Sequence, residues 1–190
     1  RAAAFIDRDG VINVEREYVH KVEDFELLPG VIQGLLKLQD AGYLLVVVTN
    51  QAGIARGLYT EAEYEHVTAY MHALLDVAGI SLAGVFHCPH HPTAGNSVLR
   101  MNCICRKPAP GLLLKAAENL DIDLKSSVLI GDKESDIAAG RAAELRACVL
   151  VRSGHKVTSA GIALADACVG DLLEAADWLG FSPDIRSKGG

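Results

Sequence analysis

Aromatic residues are scarce in this chain: one Trp, five Tyr and four Phe among 190 residues, or 5%. So few rings offer no row of stacking platforms for a nucleic-acid strand. The 18 Lys and Arg against 24 Asp and Glu, a formal net charge of −6, likewise lack the basic footprint that a phosphate backbone demands. Long apolar runs are missing too. The longest, "YLLVVV" at 43–48, falls far short of the ~18 residues of a membrane-crossing helix. No charged-then-apolar signal segment stands at the start, although the sequence begins at Arg1 without Met, which leaves room for a leader ahead of it. Cysteine is sparse and odd in number. Of the five, Cys88, Cys103 and Cys105 crowd one segment while Cys148 and Cys168 sit in apolar surroundings, which is not a secreted disulfide framework and fits a reducing cytoplasm. The expectation is a small-molecule partner, with neither nucleic acid nor membrane. No apolar stripe marks an extra interface, so a monomer is expected.

What is present is enough apolar matter for a core, 50% of residues. Short β-rich runs ("AAAFID", "YLLVVVTN", "GVFHC", "SVLIGD", "RACVLV") alternate with segments of three-and-four spacing. That alternation predicts an α/β domain with a parallel sheet and crossover helices. The clearest helix follows Thr60, where Thr60 and Glu63 form a capping-box pattern and Tyr64, Val67, Met71, Leu74, Leu75 and Ala78 line one face. Others are expected at about 31–40, from Pro110, from Glu134, and over "DLLEAADWL" to Gly180. No 20–50-residue repeat or long linker divides the chain, which reads as one domain over 1–180 with a frayed tail at 181–190. Two insertions, "VEREYVHKVEDFELLPG" and "CPHHPTAGNSVLRMNCIC", are too short to be domains.

The run "FIDRDG" ends in Asp7 and Asp9, two apart and so on the same side of an extended chain. Thr49 and Asn50, then Asp132 and Asp136, also fall just after predicted strands, the rim where open parallel sheets bind ligands. Four acids in one crevice repel one another, and a divalent cation resolves the conflict; an all-oxygen donor set favours Mg²⁺. Each piece alone also reads as a turn or helix cap.

The segment after the third strand carries C-x-H-x₁₂-C-x-C: Cys88, His90, Cys103 and Cys105. Three thiolates and an imidazole match a closed tetrahedral zinc site, with a structural rather than catalytic role, although the one-residue gaps are tight. A reduced thiol cluster is the alternative, and His91 competes with His90 as the ligand. A zinc clip over 88–105 would order a loop without its own core and pin the adjacent Arg106 and Lys107.

"DRDG", "VVVTN", "RKP" and "GDKESD", in this order over about residues 5–150, resemble the four motifs of the haloacid dehalogenase superfamily. The resemblance implies a Rossmann-like, doubly wound parallel sheet with a minimal cap, and phosphoryl transfer through an aspartyl-phosphate. It implies Asp7 as nucleophile and Asp9 as general acid and base, with Mg²⁺ held by Asp7, the backbone carbonyl of Asp9 and Asp132. Thr49, Asn50 and Lys107 would hold the transferred phosphoryl group, and Asp136 would orient a metal-bound water or Lys133. Val11 departs from the pattern, since many members carry Thr there.

The longer pattern, with "YVHKVEDFE", "TNQAGIARG", "CPHHP" and "CICRKP", is similar to the heptose-bisphosphate phosphatase group of that superfamily, and less so to the histidinol-phosphate phosphatases. It implies removal of the 7-phosphate of a heptose 1,7-bisphosphate in lipopolysaccharide core precursor synthesis. Glu15, Arg16, Glu17, Tyr18, Gln51, Ala52 and Arg106 would then touch the sugar bisphosphate, with Arg56 in reserve for its second phosphate. A zinc-stabilised module that binds a phosphosugar without turnover is the reading of another class; the presence of Asp7, Asp9, Lys107 and Asp132 together argues against it.

Overall fold

The computed structural model describes residues 1–95 and 98–181. Six strands form one all-parallel sheet in the order β3-β2-β1-β4-β5-β6: β1 Ala3–Ile6, β2 Leu44–Asn50, β3 Leu82–Cys88, β4 Val128–Gly131, β5 Ala147–Val151 and β6 Ala167–Val169. The order is that of doubly wound Rossmann folds, with the chain reversing its lateral direction between β1 and β4. Helices α1 Val31–Asp40, α2 Glu61–Val77, α3 Gly111–Leu120, α4 Glu134–Ala142 and α5 Ser159–Leu164 make the five crossovers, and α6 Leu172–Phe181 follows β6 and packs on α1.

The unbroken apolar strands follow from coverage on both faces. Ala4, Ile6, Leu45, Val47, Ile130 and Val149 point toward α1, α2 and α6 in one core, where Leu35, Met71 and Leu179 meet them. Their alternating neighbours Ala3, Phe5, Val46, Val48, Leu129 and Leu150 point the other way, toward Leu112, Leu113 and Ala116 of α3 and Ile137 of α4. Burying these side chains from both sides stabilises each strand by roughly 1.5–3 kcal/mol per large residue.

The capping box at Thr60 is formed in both halves, with the Thr60 hydroxyl accepting from the Glu63 N–H and the Glu63 carboxylate accepting from the Thr60 N–H. The strands and helices read from periodicity are all present. Two elements the sequence reading lacks are α5 and β6. Both are short, six and three residues, and β6 is a half-buried edge strand, so neither carries enough of a period to register. Val11 is fully buried in the first core. The tail beyond Phe181, and Asn96 and Ser97 in the Cys/His-rich insertion, lie outside the described residues.

Candidate active site

The carboxyl ends of β1, β2 and β4 open into one cleft of about 690 Å³ at the point where the strand order reverses. Asp7 leaves β1 with its N–H donating to the Ile130 carbonyl at 3.0 Å, so its backbone is fixed by the sheet itself. Lys107 reaches in from the segment before α3. Its ammonium donates to Asp7 Oδ1 (2.9 Å) and the Val48 carbonyl (2.8 Å) and lies 2.5 Å from Asp136 Oδ1. At 3% exposure this cation is held where water cannot screen it. Burial opposes its charge, but Asp136 and Asp7 outweigh that and raise its pKa. Asn50 fixes the lysine backbone, accepting from the Lys107 N–H and donating to the Lys107 carbonyl, both at 3.1 Å.

Burial, reinforced by Asp136 and then Asp132, pushes the Asp7 carboxyl well above the usual aspartate range, and Lys107 only partly offsets it. One cation for three acids is too few. Carboxylate oxygens of Asp7, Asp132 and Asp136 lie within 4.8 Å of one another. Asp132 is fully buried; its Oδ2 accepts from the His155 N–H (2.8 Å) and pairs with His155 Nδ1 (2.7 Å), while its Oδ1 has no hydrogen-bond partner among the described residues. An orphaned buried carboxylate oxygen facing a surplus of negative charge fits a hard divalent cation such as Mg²⁺. Gly10 and Gly154 make room for this carboxylate: a Cβ on either would stand 2.5 Å or 2.2 Å from Asp132 Oδ2, and Gly10 has φ +86°.

Asp9 lines the cleft beside Asp7, held by four bonds. Arg8, 1% exposed, donates from Nε and Nη2 to the two carboxylate oxygens (3.2 and 2.9 Å); Asn13 Nδ2 (3.0 Å) and Gln51 Nε2 (3.1 Å) complete the set. Asp136 takes part as an acceptor from the Lys133 backbone N–H at 3.0 Å, so its cationic partner is Lys107, not the Lys133 side chain.

Glu15, Glu17, Tyr18, Gln51, Ala52 and Arg106 all border the cleft, as does Arg56. Glu17 and Tyr18 both adopt left-handed backbone (φ 52° and 55°), uncommon away from glycine. The Arg56 guanidinium donates to the Tyr18 hydroxyl and lies 5.8 Å from its ring centroid. Arg16 does not border it: its guanidinium bonds the Asp24 carbonyl and Glu26, away from the cleft. Arg8, Asn13 and His155 were missed by the sequence reading. Arg8 sits inside the motif, between the two aspartates. His155 follows β5 with no metal-ligand spacing to mark it.

Cys88, at the end of β3, meets His90, Cys103 and Cys105. Their sulfur–sulfur distances are 3.1–3.6 Å, and His90 Nδ1 stands 3.2 Å from Cys105 Sγ. These are far beyond a disulfide bond of ~2.05 Å and close to the ~3.8 Å edge of a zinc–thiolate tetrahedron. His91 is otherwise engaged, its Nδ1 accepting from the N–H groups of Thr93 and Ala94, so His90 is the imidazole of this set. Burial and the Cys105 contact push the Cys88 thiol up, so a metal binding here would release protons. Arg106 Nη1 lies 3.5 Å from the His90 carbonyl, which ties the arginine to the cluster.

Comparison with known proteins agrees with this geometry. A family profile described as HAD-hydrolase-like matches residues 104–175. A D-glycero-alpha-D-manno-heptose-1,7-bisphosphate 7-phosphatase of Photorhabdus laumondii is 49% identical over 80% of this chain and 83% of its own. The beta-anomer enzyme of Escherichia coli K12 is 44% identical over 93% and 87%. A crystal structure of D,D-heptose 1,7-bisphosphate phosphatase from B. bronchiseptica, complexed with magnesium and phosphate, superposes with TM-score 0.78 at 32% identity, covering 94% of this chain and 98% of that one.

Proposed function

The chain belongs to the heptose-1,7-bisphosphate 7-phosphatases of the HAD-like hydrolases, and from that premise we propose that it removes the 7-phosphate of D-glycero-D-manno-heptose 1,7-bisphosphate, in the supply of heptose for lipopolysaccharide core. The observation that carries the reading is that Asp7, Asp9 and Lys107 line one cleft, with Lys107 2.9 Å from Asp7 and a carboxylate oxygen of the buried Asp132 within 4.8 Å of those of Asp7 and Asp136.

Asp7 attacks phosphorus in line; the bond to the sugar oxygen breaks, and Asp9 delivers a proton to that oxygen. Asp9 then takes a proton from the water that opens the aspartyl-phosphate. Lys107 neutralises the transferred group and, with the Thr49 hydroxyl and the Asn50 N–H, holds its oxygens. Asp7, Asp132 and the Asp9 carbonyl would hold Mg²⁺, which supplies charge neutralisation at the phosphoryl oxygens when bound. Zn²⁺ on Cys88, His90, Cys103 and Cys105 is a structural clip for the loop bearing Arg106. The five cysteines, all unpaired, fit a cytoplasmic location.

Acid–base help alone yields ~10²–10⁴ of the acceleration a phosphate monoester requires, so the covalent step and the charge matching are needed. Phosphate release from both anomers of the heptose bisphosphate and from histidinol phosphate, with Mg²⁺, tests the proposal. Preference for a heptose anomer is expected; preference for histidinol phosphate would overturn the substrate, and no release from any would overturn the activity.

A further inference from the structure

Gln51 borders the cleft yet is 2% exposed, and both hydrogens of its amide nitrogen as well as its amide oxygen are engaged. Nε2 donates to Asp9 Oδ2 at 3.1 Å and to Thr49 Oγ1 at 2.9 Å, and Oε1 accepts from the Tyr59 hydroxyl. With both amide hydrogens so committed, it has no donor left for a sugar. We infer that Gln51 is a positioning residue which fixes the Thr49 hydroxyl as a hydrogen-bond donor to the transferred phosphoryl group and holds Asp9 in register with it.

The polarity of the relay follows from its ends. Both Asp9 oxygens accept from Arg8, so the amide nitrogen faces Asp9 as a further donor and the amide oxygen faces the Tyr59 hydroxyl. The second amide hydrogen is then spent on Thr49 Oγ1. A hydroxyl oxygen that is already accepting from that side directs its own hydrogen elsewhere, and the cleft, which Thr49 lines, is where a phosphoryl oxygen would meet it.

The far end of the relay is anchored. Tyr59 is buried, with burial holding its phenol protonated and therefore able to donate. Its ring stacks on His20 with centroids 5.0 Å apart and planes 5° from parallel. Gly53 allows the ring to lie this close, because a Cβ there would stand 2.1 Å from Tyr59 Cε1. The Gln51 backbone is pinned as well, its N–H donating to the Cys88 carbonyl at 2.8 Å.

This inference rests on the proposed phosphatase reaction, and its test separates the two. Gln51→Met keeps the volume and removes the amide; Tyr59→Phe keeps the ring and removes only the donor to Oε1. Each is assayed on the heptose bisphosphate and on p-nitrophenyl phosphate, which has no sugar, and by inhibition with inorganic phosphate. For Gln51→Met, kcat is expected to fall on the order of ten- to a hundredfold on both substrates, as when one donor to developing charge is lost, with inhibition by phosphate weakened in step. Tyr59→Phe is expected to give the same pattern, smaller. A loss confined to the sugar substrate and expressed in KM, or no loss in either variant, would overturn the inference. Failure of the unaltered enzyme to release phosphate would overturn the reaction instead.

Discussion

The Lys107 ammonium bridges two carboxylates, 2.9 Å from Asp7 and 2.5 Å from Asp136, while also donating to the Val48 carbonyl. Among the described residues it is the one cation buried beside these acids, so their mutual repulsion is offset through it.

Lys107→Met should therefore damage fold and turnover together. Removing one partner of a buried ion pair leaves uncompensated charge and costs about 3–5 kcal/mol. The expected result is a urea midpoint lowered accordingly and phosphatase activity lost. A variant as stable as the parent would show that the acids do not depend on this lysine.

Asp7→Asn should abolish turnover and yet stabilise the metal-free protein. The Asp7 carboxyl is raised above its ordinary 3.8 by burial, Asp136 and Asp132, so the folded chain binds its proton more tightly than the unfolded chain does. Its contribution to stability is complete below pH 3.8 and is lost as pH rises through the folded-state value. Denaturation of chelated protein across pH should show stability declining over that window in the parent and a flatter profile in Asp7→Asn. Equal slopes would contradict the crowding argument.

Gly154→Ala tests the seat of Asp132. The new Cβ would fall 2.2 Å from Asp132 Oδ2 and 2.7 Å from the Gly10 Cα, so the carboxylate must move. Mg²⁺ affinity, measured by titration calorimetry, should drop about tenfold or more, in line with the loss of an outer-shell support. His155→Ala, which removes the 2.7 Å contact to the same oxygen, should weaken Mg²⁺ in the same direction.

Metal analysis should find one zinc per chain, and Cys103→Ser should lose it. Because Arg106 is tied to the His90 carbonyl and Lys107 follows it, stripping zinc should raise KM before the far-UV circular dichroism of the sheet changes. An unaltered KM in a verified zinc-free preparation would separate the loop from the cleft.

The sequence by itself determined the layered α/β fold and the gathering of acids at the strand tips. Strongly apolar strands such as "LLVVV" require cover on both faces, and a motif of two acids two residues apart can be read without knowing its neighbours. The Cys/His cluster was legible down to a choice between His90 and His91. Tertiary structure decided what depends on distance across the fold: the pairing of Asp136 with Lys107, 29 residues away, the His155 contact to Asp132, and the turning of Arg16 out of the cleft toward Glu26. Gln51 shows the reason most plainly. Nothing in its position next to "VTN" tells whether its amide faces a ligand or is engaged by Asp9, Thr49 and Tyr59, because a side chain's free capacity is set by which groups the fold brings within hydrogen-bond reach of it.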